Sequence, residues 1–340
     1  MGGAPAPPIT SGETRIQFSN LIHQFWPNTV DGLTVGAIYA LVALGYTLVY
    51  GVLGLINFAH SEVFMIGTMG ALFASRAMDI HPGVGSVHSG LALVLILVGC
   101  LLAAMAASGT IAVALERIAY RPLRKRGASR LAALISAIGA SLFLSELFGW
   151  SKFAKFLHIH VRSFEPFPRL MNKSTLFTFF GANVRTDKAV IIVSALVMMI
   201  VLDRFVRRSR LGRGIRAVAQ DPETASLMGV NIDRIVSATF LLGGIMAGAA
   251  GLLFLLFYEN TVYNVGFVLG IKAFTAAVLG GIGNLRGALL GGLTLGLLEK
   301  YGGSVFGAQW IDVIAFVLLV LILMVRPNGL LGQALSKARA

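Results

Sequence analysis

The stretch YGVLGLINFAHSEVFMIG (residues 50–67) strings Asn57, His60, Ser61 and Glu62 between two apolar runs. Further on, IKAFTAAVLGGIGNLRGALLGG (271–292) holds Lys272 and Arg286 inside or at the edges of sequence that is otherwise apolar and crowded with glycine. A charged side chain at the centre of a bilayer costs roughly 2.5 kcal/mol or more, so it is kept where it faces a bundle interior or a water-filled cavity. Glycines let helices approach closely and let the backbone bend where it lines a cavity. The chemistry these stretches offer is recognition and passage. Asn57, His60, Ser61, Glu62, Lys272, Gly280, Gly281, Gly283 and Asn284 are the candidate lining of a translocation pathway.

Two readings of 50–67 stand side by side. One is a tight cytoplasmic turn joining two spans; the other is a break in a membrane helix whose backbone and polar groups touch cargo. Glu62 and Lys272 lie deep enough to pair across the bundle. Glu146, Glu299, Lys300 and Asp312 fall near segment ends, where snorkelling to the interface accounts for them. His60 and Glu62 at spacing two, with no third ligand nearby, read as a turn or a pair rather than a metal site. Catalysis has no motif to stand on. The sequence contains no G-x-x-x-x-G-K-S/T loop, no G-x-S-x-G elbow and no H-E-x-x-H helix. Any energy from nucleotide must enter through another chain. The lone cysteine, Cys100, excludes an internal disulfide and a cysteine metal site.

The elements that position these residues are membrane-grade. Of 340 residues, 56% are hydrophobic and 13% charged, against about 25% charged in soluble domains, and the mean hydropathy is +0.80. A span needs about 20 apolar residues. Nine apolar segments stand out, at roughly 30–53, 56–76, 91–114, 131–150, 189–206, 235–258, 268–285, 287–299 and 310–326. The seventh and eighth are short and glycine-rich, and read as half-helices or one re-entrant pair. The expected fold is all-α, a polytopic transmembrane bundle of eight to nine spans with interrupted or re-entrant helices. A faint likeness links 46–72 with 274–298, both apolar–Asn–apolar with glycines.

The formal net charge of +13 points to topology and anionic lipid rather than nucleic acid, because the cations cluster in loops between apolar runs. Arg117, Arg121, Arg124, Lys125, Arg126 and Arg130 form one such loop. Arg204, Arg207, Arg208, Arg210, Arg213 and Arg216 form another. Both are expected in the cytoplasm with the C-terminal tail 327–340, and the N-terminus outside. The stretch 151–188 conflicts, since Lys152, Lys155, Arg162, Arg169, Lys173, Arg185 and Lys188 then fall outside. Residues 1–28 read as a disordered or interfacial extension without a signal peptide, ahead of a transmembrane domain at 29–326. Arg286, between two short segments on the cytoplasmic side, follows the positive-inside bias.

The soluble-looking piece is 207–234. Asp221-Pro222 starts a helix, Thr224, Ala225, Leu227 and Met228 give it a partly apolar face, and Gly229 stops it. Such a helix suits a partner's groove or the membrane surface. Small residues recur at four-residue spacing (Gly244 with Gly248, Ala247 with Gly251, Gly287 with Gly291, Gly292 with Gly296), for close helix packing within the chain or between subunits.

Three stretches together resemble the inner-membrane permease subunit of bacterial ABC importers for branched-chain amino acids. INFAHSEVFMIG (56–67) resembles the family's N-F-A-H-G-E signature, with Ser61 where glycine is usual. GRGIRAVAQDPETASLMGV (212–230) resembles its cytoplasmic coupling loop; Glu223, Ala225 and Gly229 fit E-A-A-x-x-x-G, with Thr224 for the first alanine. The glycine run at 271–292 is similar to the third signature. The resemblance implies an importer of Leu, Ile and Val, with no nucleotide site and no cofactor on this chain. ATP and Mg would sit in two partner ATPases, reached through a loop that includes Arg216, Asp221, Glu223, Ala225 and Gly229. A homologous second permease and a periplasmic binding protein complete the machine. Urea, amides or other amino acids are the alternative cargo, and a stand-alone channel or secondary transporter is the alternative class. A zwitterionic cargo needs partners for a carboxylate and an ammonium, which helix N-termini and backbone carbonyls would supply.

Overall fold

The computed structural model describes residues 24–83, 89–157, 163–179, 181–326 and 328–332. Of the expected N-terminal extension, 1–23 lies outside the described residues, as does most of the 327–340 tail. Residues 25–28 form the first turn of the first helix, which starts at Phe25.

Each of the nine apolar segments falls mainly on one helix. The helices are α1 (Phe25–Leu53), α2 (His60–Ala77), α3 (Gly90–Leu115), α4 (Arg121–Lys125), α5 (Arg130–Gly149), α6 (Ser151–Phe156), α7 (Thr186–Arg208), α8 (Arg210–Gln220), α9 (Pro222–Leu227), α10 (Ile232–Tyr258), α11 (Val265–Gly280), α12 (Leu285–Phe306) and α13 (Ile311–Val325). A π-helical turn, Glu116–Tyr120, joins α3 to α4. Among the described residues six helices are long and apolar enough to cross a membrane, with α3, the π turn and α4 counted as one. Three of the nine expected segments, those that became α2, α11 and α12, are not among them. The 151–188 stretch departs from an all-helical reading: β1 (Glu165–Pro166) pairs with β4 (Asn260–Thr261), and β2 (Thr175–Phe179) forms a hairpin with β3 (Ala182–Arg185).

Successive long helices run in opposite directions between two ends of the bundle. One end is basic. There Arg121, Arg124 and Lys125 surround Asp233, and the backbone of Leu330 and Leu331 bonds back to Leu279 and Gly280. Five helices carry a side-chain N-cap, from Ser129, Ser209, Asp221, Asn231 and Asn284, and all five start at this end. At the other end several of the cations are paired with carboxylates. Arg76 meets Glu165 at 2.6 Å, Lys173 meets Glu259 at 2.6 Å, Arg185 meets Asp187 at 2.5 Å and Lys188 meets Asp31 at 2.5 Å. Burial pushes the Glu259 carboxyl up, but bonds from Lys173 and Arg169 outweigh it and hold it below the usual carboxylate range. The tie is complete above that range and is lost as pH falls through the depressed value.

The core is held by backbone contact, which settles the four-residue glycine pattern as packing within the chain. Gly248 of α10 faces the Ala104 carbonyl of α3, where an added Cβ would lie at 2.4 Å. Gly292 of α12 faces the Ala40 amide of α1, at 2.5 Å. Gly244, Gly251, Gly287, Gly291 and Gly296 likewise meet neighbouring helices of the same chain. Gly139 of α5 has nothing within 4 Å of the same added atom. Gly248→Ala is therefore expected to destabilise the chain by about 1–3 kcal/mol. Gly139→Ala is expected to be neutral or to stabilise by up to about 1 kcal/mol through helix propensity. Thermal unfolding of the purified chain in detergent checks both.

Candidate functional site

Helix α1 ends on Gly54, whose φ of +62° suits glycine. The chain then turns back into the bundle. Asn57 is 2% exposed and its Oδ1 accepts from the Tyr120 hydroxyl at 2.7 Å. Helix α2 begins at His60 beside α1, not beyond its end. The His60 ring hydrogen-bonds to the Val42 backbone, and a Cβ on Gly45 would sit 2.1 Å from its Nε2. Gly45 lies eight residues before Leu53, about 12 Å along the helix. The 50–67 stretch is thus a break between two helices whose polar residues sit inside the bundle.

A second unit runs in the opposite sense. Helix α10 ends on Glu259, also left-handed at φ +56°. The chain returns through Thr261, whose hydroxyl meets that of Thr68 at 2.8 Å. Helix α11 then starts at Val265, again inside. An added Cβ on Gly266 would lie 2.4 Å from the Ser61 carbonyl and 2.9 Å from Glu62 Oε2. With 16 residues, α11 is about 24 Å long, short of a span of about 30 Å. The counterpart of 54–59 is thus 259–264, not the 274–298 stretch that the sequence likeness suggests. Two half-helices meet N-terminus to N-terminus in the interior.

Ser61 fits this junction because α11 gives it room. Its Oγ donates to the Phe58 carbonyl at 2.7 Å, and its Cβ would be 2.3 Å from a Cβ on Gly270. Gly270→Ala is expected to destabilise the chain by about 1–3 kcal/mol. Ser61→Gly in the same chain should restore most of it, and a double-mutant cycle on thermal stability reads the coupling directly.

Glu62 is 1% exposed. Its Oε1 accepts from Ser141 of α5 at 3.3 Å and lies 3.5 Å from the Ser61 hydroxyl. Its Oε2 has no hydrogen-bond partner among the described residues. The expected pair with Lys272 does not form. Lys272 leaves the opposite face of α11 and reaches Glu299 of α12 at 3.3 Å and Asp312 of α13 at 2.7 Å. The Tyr39 hydroxyl donates to Glu299 at 2.9 Å. Glu299 therefore does not snorkel to an interface; it is 2% exposed and tied on two sides. Tyr39, Tyr120, Ser141, Gly266 and Gly270 complete these contacts from distant parts of the chain, with no local motif to announce them.

Gly280, Gly281, Gly283 and Asn284 stand apart from 57–62. Gly281 (φ +105°) and Gly283 (φ +93°) make the tight α11–α12 turn at the basic end, and Asn284 caps α12 through the Arg286 and Gly287 amides. Gly280 meets Gly287 and Gly291 meets Ala276, so α11 and α12 pack as an antiparallel pair joined by this turn. At the same end, Pro222 opens α9 and Gly229, at φ +82°, follows its close. Asp221 Oδ1 accepts from the Glu223 and Thr224 amides at 3.0 and 3.2 Å. The Thr224 hydroxyl, ahead of these amides, holds the Asp221 carboxyl below its ordinary range. Arg216 donates to the Val206 carbonyl and so fixes α8 on α7. Ala225 is buried, Glu223 is exposed, and Leu227 and Met228 project at 87% and 81% exposure.

A multi-helix membrane bundle, two broken helices meeting in its interior and a capped helix offered at the basic end define a membrane transport protein. The chain belongs to the branched-chain amino acid transport system / permease component family, whose model matches residues 28–323. It is 42% identical to the high-affinity branched-chain amino acid transport system permease protein BraD of Pseudomonas aeruginosa, over 92% of this chain and 97% of that one. It is 41% identical to LivH of Escherichia coli K12, named for the same system, over 91% and 96%. A fructose import permease, FrcC of Rhizobium meliloti, is 30% identical over 44% of each chain.

Proposed function

We propose that the chain is the membrane-spanning permease subunit of an ABC importer that moves leucine, isoleucine and valine into the cytoplasm. The observation that carries this reading is identity above 40% with permeases named for branched-chain amino acids, along more than nine-tenths of the chain. The basic end faces the cytoplasm, with the C-terminus there and the N-terminus outside, in a bacterial inner membrane. ATP and Mg are bound and hydrolysed in two separate ATPase subunits. The exposed Leu227–Met228 pair of α9 seats in a groove on one of them, as an amphipathic helix does. A homologous second permease completes the passage, and a periplasmic binding protein delivers cargo to the ion-paired end. The passage includes Asn57, His60, Ser61 and Glu62, where polar groups lie at depth and two half-helices meet.

Competition for uptake tests the cargo. In proteoliposomes holding the full complex and its cognate binding protein, unlabelled leucine, isoleucine and valine should each suppress labelled leucine uptake at least tenfold. Suppression by urea or short amides, with none by isoleucine or valine, would keep the machine and overturn the cargo.

A further inference from the structure

Glu62 holds a place that the packing of the bundle leaves electrostatically open. It lies in the first turn of α2 and beside the first turn of α11, so the N-termini of both half-helices, each equivalent to roughly half a positive charge, converge on it. One oxygen accepts from the Ser141 hydroxyl and the other is unpartnered although the residue is fully buried. No cation is within ion-pair distance among the described residues, since Lys272 is spoken for on the far face of α11. Buried polar atoms are otherwise hydrogen-bonded as a rule, so this orphaned carboxylate oxygen asks for a ligand.

We infer that the α2–α11 junction is a mid-depth subsite for the charged end of an α-amino acid. Glu62 takes the ammonium and the two helix N-termini face the carboxylate. Gly266 and Gly270 close it in this structure by bringing the α11 backbone onto Ser61 and Glu62. The site is therefore reached only when the two half-helices separate, and Ser141 of α5 forms its side wall. This inference rests on the importer reading above, and it assigns the recognition of charge to one carboxyl group.

The test compares Glu62→Gln, which keeps shape and removes charge, with Glu62→Asp, which keeps charge and loses a methylene. Leucine uptake is measured in proteoliposomes of the full complex at equal assembled protein. Charge recognition predicts at least a tenfold fall for Glu62→Gln and a smaller one for Glu62→Asp. Uptake by Glu62→Gln equal to or above that of Glu62→Asp would overturn it, because a packing role favours the isosteric side chain. If neither variant assembles, a second arm decides. Ser141→Cys in a Cys100→Ala complex should react with an aqueous methanethiosulfonate in at least one nucleotide state, and leucine-loaded binding protein should slow that reaction at least threefold. No labelling in any state, or labelling that leucine does not slow, would overturn the subsite. Wild-type uptake separates the two levels: a wild-type complex that takes up no leucine contradicts the importer reading, whereas normal wild-type uptake beside failed variant results contradicts the subsite alone.

Discussion

Replacing Lys272 with methionine should lower the stability of the chain by about 3–5 kcal/mol, the usual cost of removing one partner of a buried ion pair. Lys272 is 12% exposed and Glu299 3% at the side chain, so the carboxylate left behind has little water to turn to. Only the Tyr39 hydroxyl would remain on it. Asp312 is 58% exposed and solvated, and its loss should cost about 1 kcal/mol or less. The second replacement distinguishes an ion pair from plain packing. Lys272→Met with Glu299→Gln leaves no uncompensated charge and should regain most of the loss. Thermal denaturation in detergent, on all three variants, reads the series. A double variant no more stable than Lys272→Met would mean that Lys272 acts through something other than Glu299.

Charging the tip of the α9 turn should break the machine without breaking the chain. Leu227 and Met228 are among the most exposed apolar side chains of the bundle and contribute little to its own core. Leu227→Asp with Met228→Asp is therefore expected to shift thermal stability only slightly, since surface changes usually fall within about 0.5 kcal/mol. Anchors of a helix in a groove each contribute about 2 kcal/mol or more, which is over tenfold in Kd. The double variant should insert normally, fail to hold its ATPase on size-exclusion chromatography, and lose at least nine-tenths of ATP-driven uptake. Retained coupling would place the ATPase contact elsewhere on the basic end.

The sequence announces helices better than it announces what they touch. Pro222 and Gly229 bracket α9 because a fixed φ and a left-handed residue act locally. The apolar runs mark their helices because hydrophobic composition is also a local quantity. The break at 54–59 was legible for the same reason, as polar residues between apolar runs. Its counterpart at 259–264 was not, because Glu259 and Thr261 look like an ordinary loop until Thr68 and Ser61 are placed beside them. Lys272 shows the limit most plainly. Its depth says that it needs a partner, but the choice between Glu62 and Glu299 depends on which face of α11 it leaves, and that is set by where α12 and α13 pack. The glycines divide likewise. Gly281 and Gly283 are there for backbone conformation, Gly266 and Gly270 for close approach, and the letter alone does not say which.

The central claim is that this chain forms a passage driven by ATP hydrolysed on other chains. It is tested most directly by leucine uptake into proteoliposomes, comparing the purified chain alone with the full complex of both permeases, ATPases and binding protein. Uptake should require the full complex and internal ATP on the ATPase side, and fall to background with the chain alone or with a non-hydrolysable nucleotide. Leucine uptake by the chain alone, independent of ATP, would contradict the account and make this protein a channel or a secondary transporter.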